Sequence, residues 1–261
     1  MTMTLIELYN HLESILPPLD IEGIDSDGIH TQQNPDREVK KVLIALDPYE
    51  KAVDAAIEGG YDLLLTHHPL FWGEPIPNTP PERWYNKLLE AEVASFSFHI
   101  RLDKAVGGVN DILARLFELE DIEPLDDPEI PAIGRIGALN AEMTERELAE
   151  FVKAKLDAQS VTYTVLPDGR KIKKVAVLGG SASDAISTAA EMGADAIVGG
   201  EFKHHTYGYA AVEGAGRGIA LIEAGHYHTE APVCQKLREL VLEAVPSAQV
   251  DILHCNNTFV L

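Results

Sequence analysis

The 261-residue sequence predicts an α/β fold of two related lobes, each with a mixed or mostly parallel sheet flanked by helices. Three observations carry the prediction. Short apolar runs alternate with segments whose apolar residues recur at helical spacing, the pattern of strand-helix-strand units. One strand-helix-Gly-strand pattern occurs twice at a constant offset, so that Ala56, Glu58, Gly60 and Asp62 meet Ala189, Glu191, Gly193 and Asp195. Between the copies, 118–131 is acidic and proline-containing, the composition of a boundary. The expected segments are a first lobe over 1–122, a second over 123–218, and a C-terminal segment, 219–261, returning to the first.

Taken in order, Thr4 and Glu7 form a capping box for a helix carrying Leu5, Leu8, Leu12 and Ile15, which Pro17-Pro18 stops. The connection 20–37 is rich in Gly, Asp, Asn and Pro and reads as irregular. A strand over 41–46 leads to Asp47-Pro48, where Asp47 is expected to cap a helix reaching Ala56; Gly59-Gly60 ends it before a strand over 62–66. That βαβ unit predicts parallel strands with a right-handed crossover. A helix over 82–91 and a strand over 93–98 follow. Gly107-Gly108 then turns into a helix capped by Asn110 or Asp111.

Beyond 131 the pattern gives a strand over 133–139 and a second capping box, Thr144 with Glu147, opening a helix. Strands over 161–166 and 174–178 flank the Pro167-Asp168-Gly169 turn. After the repeated unit come a strand over 219–223, one long helix over 226–244, and strands over 250–253 and 258–261.

A hydrophobic content of 46% with 24% charged residues is that of a globular chain. The net charge of −21 opposes the phosphate backbone and anionic membrane surfaces, so neither nucleic acid nor membrane is an expected partner. Two cysteines, Cys234 and Cys255, make neither a disulfide framework nor a Cys-x-x-Cys zinc site. With no basic leader and no apolar run of spanning length, the cytoplasm is the expected location.

The chemistry collects at strand ends. The apolar run over 63–65 stops at Thr66-His67-His68-Pro69. In a continuing strand the two imidazoles would point to opposite faces, but Pro69 places them in a turn, and two neighbouring rings aimed at different points suit two metals. His99 and Asp103 follow the third strand, and His226 and Glu230, four apart, share a helix face. Imidazole plus carboxylate without thiolate fits zinc, ferrous iron or manganese. Each motif alone also fits a cap or a strand terminus. His204 and His205 read as structural, and Gly179-Gly180-Ser181 reads as a tight βα turn more readily than as a phosphate cradle.

Together, Thr66-His67-His68-Pro69, His99-x-x-Leu102-Asp103 with Gly107-Gly108-Val109-Asn110-Asp111, and Gly225-His226-Tyr227-x-Thr229-Glu230 resemble the Nif-three-like family in order and spacing. Its members are often labelled dinuclear-metal hexameric proteins or GTP cyclohydrolase I type 2 homologues. The resemblance implies a two-metal site in the inter-lobe cleft, with His67, His68, Asp103, His226 and Glu230 as ligands and Glu230 suited to bridging. It gives His99 an acid/base or ligand-orienting role and implies a homohexameric ring. Ile100-Arg101 and Ala105-Val106 depart from the family's usual small polar pair and Ala-Pro type. The implied activity is metal-dependent hydrolysis of a small phosphorylated or nucleotide-like compound by two divalent ions per chain. The alternative is a non-catalytic metal-binding ring for storage, delivery or regulation.

Overall fold

Leu63, Leu64 and Leu65 are all fully buried, as an apolar run requires when both faces of its strand are covered. In the computed structural model, which describes residues 2–19, 26–126, 131–212 and 216–256, they form the middle strand of a five-stranded sheet. Leu63–Thr66 lies between Lys41–Ala45 and Ala94–Ser97, parallel to both. Gly28–Thr31 closes one edge antiparallel to Ala94–Ser97, and Gln249–Leu253 closes the other parallel to Lys41–Ala45. Helices Leu5–Ile15, Glu50–Glu58, Pro80–Glu90 and Val233–Ala244 accompany this sheet. Ala52, Val53 and Ala56 of Glu50–Glu58 pack with Leu43, Ala45, Leu64, Leu88 and Val93.

This sheet belongs to a compact unit that runs to Leu102 and resumes at Val233; a second unit runs from Asp103 to Pro232. The second unit holds a six-stranded sheet in the order Glu120–Leu125, Gly134–Met143, Ile172–Ser181, Ala196–Glu201, Ala220–Glu223, Thr162–Tyr163. Ile172–Ser181, Ala196–Glu201 and Ala220–Glu223 run parallel, while the remaining strands pair antiparallel.

The repeat read from sequence is a repeat of hydrogen bonds. Asp62 Oδ2 accepts from the backbone N–H of Lys40 and Lys41, both at 2.9 Å. Asp195 Oδ2 accepts from Lys173 at 3.0 Å and Lys174 at 3.1 Å. Gly60 and Gly193 both take the left-handed conformation that closes the preceding helix. The likeness extends outward. Each unit has a capping-box helix, Leu5–Ile15 or Glu145–Lys155, and each third parallel strand bears an antiparallel neighbour. Each third strand then leads into a five-residue helix, Ile100–Lys104 or His226–Glu230.

Several expectations are corrected. The acidic stretch contains a strand, Glu120–Leu125, because its exposed side chains leave the backbone free to pair with Gly134–Met143. The helix expected over 226–244 is two helices, with Pro232, which has no N–H to donate, between them. The strand over 161–166 shrinks to Thr162–Tyr163. Tyr49, not Asp47, occupies the N-cap of Glu50–Glu58, and Gly108 that of Val109–Leu116. The strand expected over 258–261 lies outside the described residues. Among the described residues no helix is long and apolar enough to cross a membrane.

His30, on the edge strand, fixes the turn that follows the first His pair. Its Nε2 accepts from the Leu70 N–H at 3.3 Å and lies 2.8 Å from Ser97 Oγ. Accepting there keeps the ring neutral, and burial lowers its pKa to about 4. The unfolded chain therefore takes up a proton near the ordinary histidine value while the folded chain does not. Stability is fully present above that value and falls as pH drops toward the folded pKa, by up to roughly 3 kcal/mol. Denaturant unfolding of wild type and His30→Gln across this window should show a shallower decline in the variant; parallel declines would refute it.

Candidate metal centre

In the first unit, pairing in register brings three chain segments off the sheet together. Ala45 faces Thr66, and Thr66 faces Ser97, so Asp47, His67 with His68, and His99 all emerge at the carboxyl ends of neighbouring strands. One nitrogen from each of His67, His68 and His99 lies within 4.8 Å of the other two. The ring centroids are 4.9 to 5.5 Å apart.

The tautomers of the adjacent pair follow from their partners. His67 Nδ1 lies 3.0 Å from the Phe98 carbonyl oxygen and His68 Nδ1 lies 2.7 Å from Asp47 Oδ1. Both oxygens only accept, so each Nδ1 carries a proton, and in the neutral ring the lone pair is on Nε2. His67 is fully buried and His68 is half-buried. His99 donates its backbone N–H to Asp27 Oδ2 at 2.9 Å, and the Trp72 ring meets its imidazole edge-on at 4.9 Å. Clustered imidazoles, two of them held by their Nδ1 atoms, fit a borderline divalent ion.

In the second unit, His226 and Glu230 occupy one face of their short helix, with Nε2 and Oε2 3.1 Å apart. His226 Nδ1 lies 3.5 Å from Glu201 Oε1. Gly180, with φ +66°, makes room for this pair: a Cβ there would overlap Glu230 Oε1 and fall 3.1 Å from His226 Nε2. Its N–H donates to Thr229 Oγ1 at 3.1 Å, so the Gly179-Gly180 turn serves the Glu230 helix and its amide is engaged within the protein. Asp103, the first residue of this unit, is buried on Ile100–Lys104. Asn110 Nδ2 donates to the Asp103 carbonyl at 3.3 Å and its Oδ1 accepts from Gly179 N–H at 2.8 Å.

The structure thus groups His67, His68 and His99 in one unit and His226 with Glu230 in the other. His204 and His205 are exposed, and the His205 ring contacts Tyr209. Sequence reasoning assigns Asn110 to a helix cap, and for Asp47 it favours a helix cap over a place near the imidazoles; the structure gives Asp47 the second of these and makes Asn110 a tie between the Asp103 carbonyl and the Gly179 N–H. For Asp47 the available signal is its position two residues beyond a strand end. Gly180 is legible as a glycine of a turn, while its close approach to Glu230 is not.

Alanine at Gly180 should therefore displace Glu230 and reduce metal uptake. Gly193, at φ +81° with open space within 4 Å of where a Cβ would sit, provides the control. Its alanine variant should cost about 1 kcal/mol in backbone strain and leave uptake intact. Metal-to-protein ratios and thermal unfolding of Gly180→Ala and Gly193→Ala distinguish the two effects, and equal uptake in both variants would refute the packing argument.

Comparison with known proteins agrees with this architecture. The family model Duf34/NIF3 (NGG1p interacting factor 3) matches residues 3–258. A Clostridium perfringens protein named GTP cyclohydrolase 1 type 2 homolog is 31% identical over 254 residues, spanning 94% of each chain. A Streptomyces coelicolor protein of the same name is 33% identical over 240 residues, 88% of this chain and 83% of its own. A Bacillus cereus protein related to NIF3 shares the two-sheet α/β fold, with a TM-score of 0.85 at 23% identity and 99% coverage of each chain. Reduced HcgD from Methanocaldococcus jannaschii gives 0.78 at 29% identity, covering 97% of this chain and 98% of its own. Matched along nearly its whole length, the chain belongs to the Duf34/NIF3 family.

Proposed function

We propose that this protein binds two divalent metal ions and acts as a metal-dependent hydrolase of a small phosphorylated or nucleotide-like compound. The observation that carries the reading is the cluster of His67, His68 and His99, with ring nitrogens within 4.8 Å of one another. His67, His68, Asp103, His226 and Glu230 are the proposed ligands. Imidazole nitrogens and carboxylate oxygens are a donor set for zinc, iron or manganese. Ions of this kind supply Lewis acidity, polarising a substrate oxygen and lowering the pKa of water, for zinc from about 9 to about 7 in a favourable site.

The chain's own residues perform the remaining tasks. The Phe98 carbonyl holds the His67 imidazole by its Nδ1–H group, so its Nε2 lone pair needs no reorientation on binding. Glu230 offers two carboxylate oxygens and so suits a bridging position. His99, its backbone held by Asp27 and its ring against Trp72, is the proposed group for taking up or delivering a proton. Relatives carrying the name GTP cyclohydrolase 1 type 2 homolog support a nucleotide-like substrate class. A homohexameric ring in the cytoplasm completes the reading and is checked by mass in solution.

Metal content per chain, measured by mass spectrometry on protein purified without added metal, should approach two and should fall in Asp103→Ala and His226→Ala. Hydrolysis of a panel of nucleotides and phosphate esters should follow metal content. Turnover indifferent to metal removal would overturn the hydrolase reading. Full metal loading with no turnover across the panel would favour the non-catalytic ring.

A further inference from the structure

The geometry points to Asp47 as the positioning residue for His68, a role that makes metal affinity depend on a carboxylate outside the proposed ligand set. This inference rests on the metal-binding reading above and adds a residue to it. Sheet register creates the pair. Ala45 and Thr66 are partners across adjacent parallel strands, so Asp47 and His68, each two residues further along, leave the sheet side by side. The resulting contact, Asp47 Oδ1 to His68 Nδ1, measures 2.7 Å, with side chains only 12% and 13% exposed.

A partly buried carboxylate accepting from an imidazole N–H fixes the tautomer, restrains the ring's rotation and makes the opposite nitrogen a stronger donor. Burial first, then the charge and hydrogen bonding of nearby Asp47, raise the Tyr49 phenol's pKa above its ordinary value. The helix cap that would otherwise explain Asp47 is absent, since the Tyr49 N-cap of Glu50–Glu58 has no side-chain cap bond.

The internal duplication sharpens the assignment. At the repeat offset, Asp47 and His68 correspond to Gly180 and Glu201. Position 180 there, at φ +66° and with Glu230 and His226 against it, favours glycine. The second unit's carboxylate, Glu201, reaches His226 Nδ1 only at 3.5 Å and is 59% exposed. A solvated, longer contact restrains a ring less than a shielded 2.7 Å bond. The support to His68 is therefore a property of the first unit alone, and its loss should weaken one ion more than the other.

The test uses the full-length protein, stripped of metal and titrated with zinc against a chromophoric chelator, as wild type, Asp47→Asn and Asp47→Ala. The asparagine variant keeps size and an accepting oxygen while removing the charge. Zinc affinity at one of two sites should fall about 10- to 100-fold in Asp47→Ala and by less in Asp47→Asn, with the second site near wild type. Cobalt-loaded Asp47→Asn should show shifted d–d absorption, which a purely structural role would not move, and its metal-free melting temperature should match wild type. Wild-type affinities and an unshifted cobalt spectrum in both variants would overturn the assignment alone. A wild-type chain that takes up no divalent ion would overturn the metal reading, and this assignment with it.

Discussion

The in-register pairing of Lys41–Ala45, Leu63–Thr66 and Ala94–Ser97 is the constraint on which the candidate site depends. Because Val42, Leu43, Ile44, Leu63, Leu64 and Leu65 are buried, a one-residue slip of any strand would exchange packed side chains between faces. That cost fixes the level at which each strand ends. Three imidazoles and the carboxylate beside them therefore emerge together at one end of the sheet, close enough for Asp47 to meet the His68 ring. The candidate site residues sit on loops, but the precision belongs to the sheet beneath them.

The same scaffold, used again, has been given other chemistry. Asp62 and Asp195 tie identical strand starts, and the left-handed Gly60 and Gly193 close identical turns. At the opposite, carboxyl end the copies diverge. Thr66-His67-His68 gives way to Gly199-Gly200-Glu201, and the metal-ligand residue types of the second unit come instead from the helix His226–Glu230. Gly180 and Gly200 are what allow that helix to approach: a Cβ at Gly200 would fall 2.8 Å from His226 Cα and from Thr229 Oγ1. Scaffold ends are fixed by backbone needs that both copies share, whereas functional ends answer to side chains that they do not.

Arg101 is held from several sides beside the candidate site. Its guanidinium makes two hydrogen bonds to Asp27, at 2.8 and 2.9 Å, donates to the Leu16 carbonyl at 3.0 Å, and lies 4.7 Å from the Phe98 ring centre. Despite the opposing effect of burial, Asp27 and then Tyr9 raise its pKa and keep it charged. Asp27 uses the same Oδ2 to hold the His99 N–H. A buried ion pair is a modest source of net stability, since desolvation offsets much of its attraction, but leaving one partner uncompensated is costly. Its value here is positional: it anchors the backbone at the start of Ile100–Lys104, between His99 and Asp103.

The sequence by itself determined the α/β class, the parallel βαβ core, both capping boxes, the duplication of the strand-helix-strand unit, and the residue types of the candidate metal site. These are legible because periodicity, caps and glycine turns act within a few residues of chain. Tertiary structure decided which strand ends meet, that Asp47 answers His68 instead of capping a helix, and that Asn110 joins the Asp103 backbone to Gly179. It also decided that Gly180 is glycine because Glu230 occupies its side-chain space. None of these could be read from spacing, because each joins residues distant in sequence, and their separation in space is set by sheet register and helix packing.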